Sequence, residues 1–418
     1  MQEINGNVFP SEPLEIINNY VLLKPLGSGA FSIVWLVYSI KFKKYVALKI
    51  HHAHEYDEGI NEFKIFEQFA CIKTQYIIKL LDKFVYINNN GKHVCFVMEL
   101  MQYSLVEIIN NKNIVLTDNI IKKIILQLSE ALYEIHKLGF IHTDIKPENI
   151  LIKGTNDNIN KIINIFNKYI NLFDNKKKRK KFKNLKNQII LELIDDTDKN
   201  LSEIEDSVEY KSFNSNSYDS SDDESILEYD RDDLLSFESL SLCDEEKKIK
   251  ITLNNIEIRL ADFGRCIKEA DKTKTVQTRY YRAPEVILKH DYNNKIDIWS
   301  IGCILYELIT HKLLFDPKKT NRLSTDRIHL YDIYKKTGDR FNKEIISTSI
   351  KKYYFFHENE QLKGFNDIPY EPIFPHINNT LFLNLLNGML KINYHERTSA
   401  NDIISVIAKK NNSNNLIS

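Results

Sequence analysis

A chain of 418 residues exceeds the usual single-domain range, and with 43% hydrophobic and 27% charged residues it carries enough apolar surface to bury a sizeable core. Acidic and basic residues balance at 57 each, so the formal charge is zero and overall charge offers no argument for a nucleic-acid or membrane partner. Five cysteines, Cys71, Cys95, Cys243, Cys266 and Cys303, lie scattered without C-x-x-C spacing; they suggest neither a disulfide framework nor a zinc site and fit a reducing intracellular compartment, cytoplasmic or nuclear.

Residues 1–19 form a polar extension in which MQEINGNVFPSEPLE has no basic n-region and no apolar h-region, and no apolar run in the chain approaches the length that spans a bilayer. Residues 20–101 alternate β-rich stretches (34–38, 45–50 and 93–99) with a helical period over 60–69. Residues 102–154 continue with a helical pattern over 119–137. Residues 155–250 change character, first Lys-rich, with KKKRKKFK at 176–183, then dense in Ser, Asp and Glu. That stretch lacks the apolar surface to offset its ordering entropy, except in a short helical part around 159–172, and reads as a mainly disordered insert. Residues 251–408 resume the periodic pattern with IEIRLADFG and helical segments at 296–310 and 381–390, and 409–418 reads as a frayed tail.

Five short motifs follow one another: LGSGAFSIV at 26–34, VALK at 46–49, HTDIKPEN at 142–149, DFG at 262–264 and APE at 283–285. Each alone is weak, but their order resembles that of the protein kinases over nearly the whole chain apart from the insert and termini. The resemblance implies an α+β, two-lobed kinase fold: a small β-rich N-lobe at 20–101 and a larger helical C-lobe at 102–154 and 251–408, interrupted by the 155–250 insert. It implies ATP with Mg2+ as cofactor and Ser or Thr of a protein as acceptor, with no nucleic acid or membrane partner expected and a monomeric state.

Residue by residue, the chemistry fits the residue types. A phosphoryl group in transfer spreads negative charge over its oxygens, which the enzyme must position and neutralise. The loop Leu26, Gly27, Ser28, Gly29, Ala30, Phe31, Ser32, Ile33, Val34 would cover the phosphates, with Gly27 and Gly29 allowing close backbone approach and Phe31 capping from above. Ser32 stands where the kinase pattern has a third glycine. Lys49 would reach the α- and β-phosphates, held by Glu62 in preference to Glu58 or Glu67, because Glu62 lies one turn before Phe66, which the resemblance packs against Phe263 and His142. Asp144 would accept the substrate hydroxyl proton and Lys146 neutralise the moving phosphate; lysine there resembles Ser/Thr rather than tyrosine kinases. Asn149 and Asp262 offer oxygen ligands suited to magnesium. Val34, Ala47 and Leu151 would sandwich adenine, with Glu99 to Met101 supplying backbone hydrogen bonds, though ordinary core packing is a rival reading for the apolar three. Asp297 and Arg397 match scaffold positions, with Arg397 paired to Glu285.

GAFSIVWL, HTDIKPENILI, the position of the insert and QTRYYR before APE resemble SR-protein kinases, which suggests Arg-Ser-rich substrates. Two departures weaken this likeness: RAPEVIL, which looks more like LAMMER-type or dual-specificity kinases of the same CMGC group, ends the segment, and the acidic docking positions fall near Ile328 and Lys335, where a groove for Arg-rich substrates would lose charge. A kinase of another CMGC branch, LAMMER-type or Pro-directed, is the alternative. Glu148, Asp326, Asp332 and Asp339 remain as candidate partners for a basic substrate. Thr143 replaces the arginine of the usual H-R-D, which normally pairs with a phosphate on the activation segment, so activity without phosphorylation of Thr273 or Thr275 is expected. A pseudokinase scaffold is the alternative of a different class, disfavoured by an intact Lys49, Asp144, Asn149 and Asp262. The basic run at 176–183 suits nuclear import as well as it suits a merely solvated segment. His51, His52 and His54 lack companion ligands and are expected to be exposed, with no role.

Overall fold

The computed structural model describes residues 12–111, 114–173, 179–195, 256–272, 276–365, 367–372 and 377–415. Contacts divide the chain into two compact units, one formed by Met1–Ile163 and Lys250–Ser418, the other by Asn164–Ile249.

The larger unit begins with a six-stranded antiparallel sheet. Its strands are β1 (Ile16–Ile17), β2 (Tyr20–Ser28), β3 (Ser32–Ser39), β4 (Lys44–His51), β5 (Leu80–Asn88) and β6 (Gly91–Met98), ordered β1-β2-β3-β4-β6-β5. One face carries a closed apolar cluster that includes Leu22, Trp35, Val37, Leu48 and Val97, which explains the β-branched and aromatic wording of these strands. Helix α1 (Tyr56–Gln68) crosses the other face against β6, turning Glu62, Ile65 and Phe66 inward. Ile17 is fully buried, so the sheet starts within the stretch read as an extension.

A short strand, β7 (Met101–Ser104), leads into the helical part: α2 (Leu105–Asn110), opened by a Ser104–Glu107 capping box, and α3 (Asp118–Lys137). Strands β8 (Phe140–Ile141) and β9 (Ile150–Lys153) flank the catalytic-loop motif. Helix α4 (Asp157–Asn167) follows, and α5 (Arg179–Asp195) lies in the smaller unit, where Phe173 packs on Phe166 and Phe182 at ring separations of 5.0 and 4.4 Å. Helix α4 falls on the short helical part expected around 159–172, whereas α5 lies beyond it, in a stretch expected to be disordered. Phe182, Leu185, Ile189 and Leu193 recur about one helical turn apart in an otherwise Lys-rich run, and Ile189 and Leu193 are buried. Part of the basic run lies on α5. The Ser-, Asp- and Glu-dense part falls outside the described residues, as does Cys243.

The chain returns with β10 (Ile258–Leu260), antiparallel to β9 in the register Ile258↔Ile152 and Leu260↔Ile150, so the long connection does bridge two arms of one hairpin. Strand β11 (Ile267–Lys268) pairs with β8. Helices α6 (Pro284–Ile287), α7 (Lys295–Thr310), α8 (Thr325–Thr337), α9 (Lys343–Thr348), α10 (Lys352–Phe355), α11 (Thr380–Met389) and α12 (Ala400–Asn415) complete the unit. Its core is centred on α3 and α7, where Ile124, Leu128, Leu132, Trp299, Ile301 and Ile304 are all fully buried. Helix α12 runs through Asn415, so most of the stretch expected to fray is helical.

Candidate active site

Strand alternation places Ala47, Lys49 and His51 on one face of β4. Lys49 Nζ lies 2.8 Å from Glu62 Oε2, 3.1 Å from Glu62 Oε1 and 2.8 Å from Asp262 Oδ1. Geometry thus selects Glu62 among the three glutamates of α1: Glu58 is exposed, and Glu67 pairs with Lys83 at the surface. Burial alone would lower the Lys49 pKa, but the Asp262 and Glu62 carboxylates more than offset it and hold the ammonium charged. Conversely, Lys49 holds both carboxylates below their ordinary range against the opposing effect of desolvation. Glu62 Oε1 also accepts from the Phe263 N–H at 3.3 Å, and Asn61 donates to the Gly264 carbonyl at 3.2 Å, so two adjacent residues of α1 grip the DFG turn.

That turn is strained. Asp262 has φ 65° and Thr143 φ 67°, a left-handed conformation that is costly for a β-branched residue and therefore held by its surroundings. Fully buried Asp297 on α7 accepts the His142 and Thr143 N–H groups at 2.9 and 3.0 Å, and Thr143 Oγ1 donates to the Arg265 carbonyl at 2.7 Å. Phe263 meets Phe66, Phe69 and His142 edge-on at 5.5, 5.1 and 5.3 Å, which extends the packing expected for Phe66 to include Phe69.

Asp144 is 4% exposed. Its Oδ1 accepts the Thr278 hydroxyl at 2.7 Å, and its Oδ2 lies 3.0 Å from Lys146 Nζ. Burial would raise its pKa; Lys146 and the Thr278 hydrogen bond outweigh that and hold the carboxyl below its ordinary value. Asn149 donates its amide to the Asp144 carbonyl at 2.9 Å, a bond that spends the nitrogen and leaves the oxygen as the ligand type a hard cation takes. Asp262 adds a carboxylate whose side chain is 45% exposed, so Asn149 and Asp262 fit a magnesium ion brought in with nucleotide phosphates. Among the described residues no cluster of three or more His, Cys, Asp or Glu suits a resident metal.

The β2–β3 turn lies at the edge of this cluster. A Cβ built on Gly27 would meet nothing within 4 Å and one on Gly29 only the Ser32 carbonyl at 4.0 Å, and neither glycine has a positive φ. Neither packing nor backbone strain demands glycine at these two positions, which leaves close approach of a ligand as the physical reason. Phe31 at the tip is 39% exposed, with the Arg265 guanidinium 5.0 Å from its ring. Val34 lies opposite Lys49, Ala47 opposite Met98, and Leu151 on β9, all half-buried or buried. The Glu99 N–H donates to the Lys79 carbonyl at 3.2 Å and so does not serve as an adenine donor; Met101 opens β7.

Further corrections concern charged groups. His51 and His52 are 3% and 4% exposed: His51 Nε2 lies 2.9 Å from Glu62 Oε2, and His52 Nε2 lies 3.1 Å from the Gly29 carbonyl, while only His54 of the three stays near the surface. Burial lowers the His52 pKa. Asp326 pairs with Arg279 at 2.7 Å and approaches Lys351 at 3.7 Å, and Asp339 accepts the Arg340 and Ile392 N–H groups, so these two carboxylates serve the fold rather than a docking groove. Burial raises the Asp332 pKa. Glu148 keeps one buried oxygen, Oε2, without a hydrogen-bond partner. Arg397 pairs with Glu285 at 2.7 and 3.0 Å, both fully buried, as expected. Thr273 and Thr275 lie outside the described residues.

Sequence reasoning missed Thr278, Gln277 and the two histidines. Gln277 (φ 69°) holds the segment before APE: it donates to the Ile296 carbonyl and Ser300 Oγ, both at 2.9 Å, and accepts the Ala283 N–H at 2.9 Å. The period-two alternation of β4 was the available signal for His51, since it puts residue 51 on the Lys49 face.

Comparison with known proteins agrees with this geometry. The model of the protein kinase domain matches residues 20–167 and 242–406. A serine/threonine-protein kinase, SRPK, of Physarum polycephalum is 28% identical over 408 residues, covering 92% of this chain and 84% of that protein. The protein kinase dsk1 of Schizosaccharomyces pombe is 30% identical over 368 residues, covering 75% and 65%. A crystal structure of a kinase domain superposes with a TM-score of 0.62 at 21% identity, covering 95% of this chain and 97% of that one, a likeness of fold.

Proposed function

This chain belongs to the protein kinase domain family, with homology to serine/threonine kinases of the SRPK type, and on that premise we propose that it transfers the ATP γ-phosphoryl group to Ser or Thr in Arg-containing protein segments, Arg-Ser repeats among them. The observation that carries the reading is the convergence of Lys49, Glu62 and Asp262 within 3.1 Å beside an ionised Asp144 that touches both Lys146 and Thr278. Asp144 accepts the acceptor hydroxyl proton as the new oxygen–phosphorus bond forms and the bond to the β-phosphate oxygen breaks, releasing ADP. Lys146 stabilises negative charge on the moving phosphoryl group, and Lys49 holds the α- and β-phosphates. Magnesium, held by Asn149 and Asp262, would screen the phosphate charge when bound.

The preference for a basic segment is supported by Glu148, whose unpartnered buried Oε2 sits in the catalytic loop and would gain from a substrate guanidinium. Activity without activation-segment phosphorylation is supported by fastenings that need no phosphate: Thr143 to the Arg265 carbonyl, Gln277 to α7, and Arg282 to the Gln277 carbonyl at 2.9 Å. The test is transfer of labelled γ-phosphate from Mg-ATP to an Arg-Ser repeat peptide and to a Pro-directed peptide, using phosphatase-treated enzyme and Asp144→Ala as control. Arg-Ser labelling lost in the variant is expected. Labelling of the Pro-directed peptide alone would move the chain to another branch, and labelling of neither would favour a pseudokinase.

A further inference from the structure

Glu62 is 1% exposed, and a carboxylate so buried must have its oxygens satisfied at every stage of a reaction cycle. Its donors are Lys49 on both oxygens, the Phe263 N–H on Oε1 and His51 on Oε2. Since Glu62 is held ionised and can only accept, His51 Nε2 must carry the proton of the 2.9 Å contact. Lys49 Nζ reaches three carboxylate oxygens, two of Glu62 and one of Asp262. If Lys49 turns to nucleotide phosphates, as the reading above requires, some of these contacts are given up. Wherever the Glu62 Oε2 contact is among them, Oε2 keeps the histidine as its donor.

His51 is built to stay in place. It ends β4 two residues beyond Lys49, and its carbonyl oxygen lies 2.9 Å from His93 Nδ1, whose Nε2 in turn lies 3.1 Å from Asn88 Oδ1. Its ring stands edge-on to Phe96 at 5.7 Å. Above it passes α1 at Gly59, where an added Cβ would come within 3.2 Å of His51 Cγ. A rigid strand therefore presents an N–H to the helix carboxylate independently of Lys49. We propose that His51 is a positioning residue of the phosphotransfer site: it keeps Glu62, and through it α1 and Lys49, in the nucleotide-holding arrangement when Lys49 engages phosphate.

The proposal rests on the Lys49–Glu62 reading, so the test must separate the two. Steady-state kinetics with Mg-ATP are measured for His51→Leu, His51→Gln, Glu62→Gln and the Leu/Gln double variant, with nucleotide-free thermal midpoints alongside. His51→Asn, polar but too short to reach Oε2, replaces the Leu variant should that fail to fold. Expected is a rise in KM for ATP and a fall of roughly tenfold in kcat/KM for His51→Leu. His51→Gln, which can place an N–H near the Nε2 position, should recover most of it, and in the Glu62→Gln background the Leu substitution should add little. An unchanged His51→Leu enzyme beside an impaired Glu62→Gln would overturn the proposal alone, as would equal loss in the Gln and Leu variants or full additivity with Glu62→Gln. A fully active Glu62→Gln would overturn the site reading itself.

Discussion

Gly59→Ala offers a demanding test because two effects of opposite sign compete. Replacing an interior helix glycine by alanine favours α1 by about 1 kcal/mol through propensity. Against this, the new Cβ would sit 2.8 Å from Val94 Cβ, 2.9 Å from Val94 Cγ2 and 3.2 Å from His51 Cγ. The nearest of these is the branch point of a fully buried β-strand residue, which no rotamer change removes. Overpacking of this kind costs about 1–3 kcal/mol, so the net change should be a destabilisation of up to roughly 2 kcal/mol. Strain is relieved if α1 moves from 2.8 Å to the 3.4 Å of ordinary contact, a shift of roughly 0.6 Å that also carries Glu62 away from Lys49; displacements of about 1 Å at a catalytic constellation are able to cost a hundredfold. A loss of about tenfold in kcat/KM for ATP is therefore expected with only a few degrees lost in thermal midpoint. A Gly59→Ala enzyme that is both more stable and fully active would refute the reasoning, since propensity would then have outweighed packing and helix placement.

Lys49→Met should abolish phosphoryl transfer while the fold persists, checked by peptide labelling beside a thermal scan. Thr278→Val removes a hydrogen bond that lowers the Asp144 pKa, so the acid limb of the kcat/KM profile, where Asp144 takes up its proton, should move upward in pH; a limb that stays put would separate Thr278 from the base. Glu285→Gln leaves the fully buried Arg397 short of its counter-charge and should cost roughly 3–5 kcal/mol, read from denaturant unfolding. Burial raises the Cys95, Cys266 and Cys303 thiols while Cys71 is exposed, so alkylation followed by mass spectrometry should label Cys71 well before those three.

Much of this protein was legible in the sequence for local reasons. Runs of β-branched and aromatic residues marked β3, β4 and β6, a helical period marked α3 and α7, and the motifs around Lys49, Asp144 and Asp262 carry their chemistry in residue type and spacing. The α5 helix escaped because a Lys-rich composition masked the period of its apolar residues. What the tertiary structure alone decided was partnership across long separations. Three glutamates of α1 are nearly equivalent as text, and only the packing of the helix on β6 turns Glu62 to Lys49. His51 and His52 read as exposed histidines because their acceptors, Glu62 and the Gly29 carbonyl, come from α1 and from the β2–β3 turn, far off in the chain. Two of the acidic residues read as docking charges, Asp326 and Asp339, are engaged by Arg279 and by the Ile392 N–H, both far off in the chain. Sequence specifies which groups can bond, but a hydrogen bond or ion pair forms only where the fold brings donor and acceptor within about 3 Å, and that distance is a property of the packed chain.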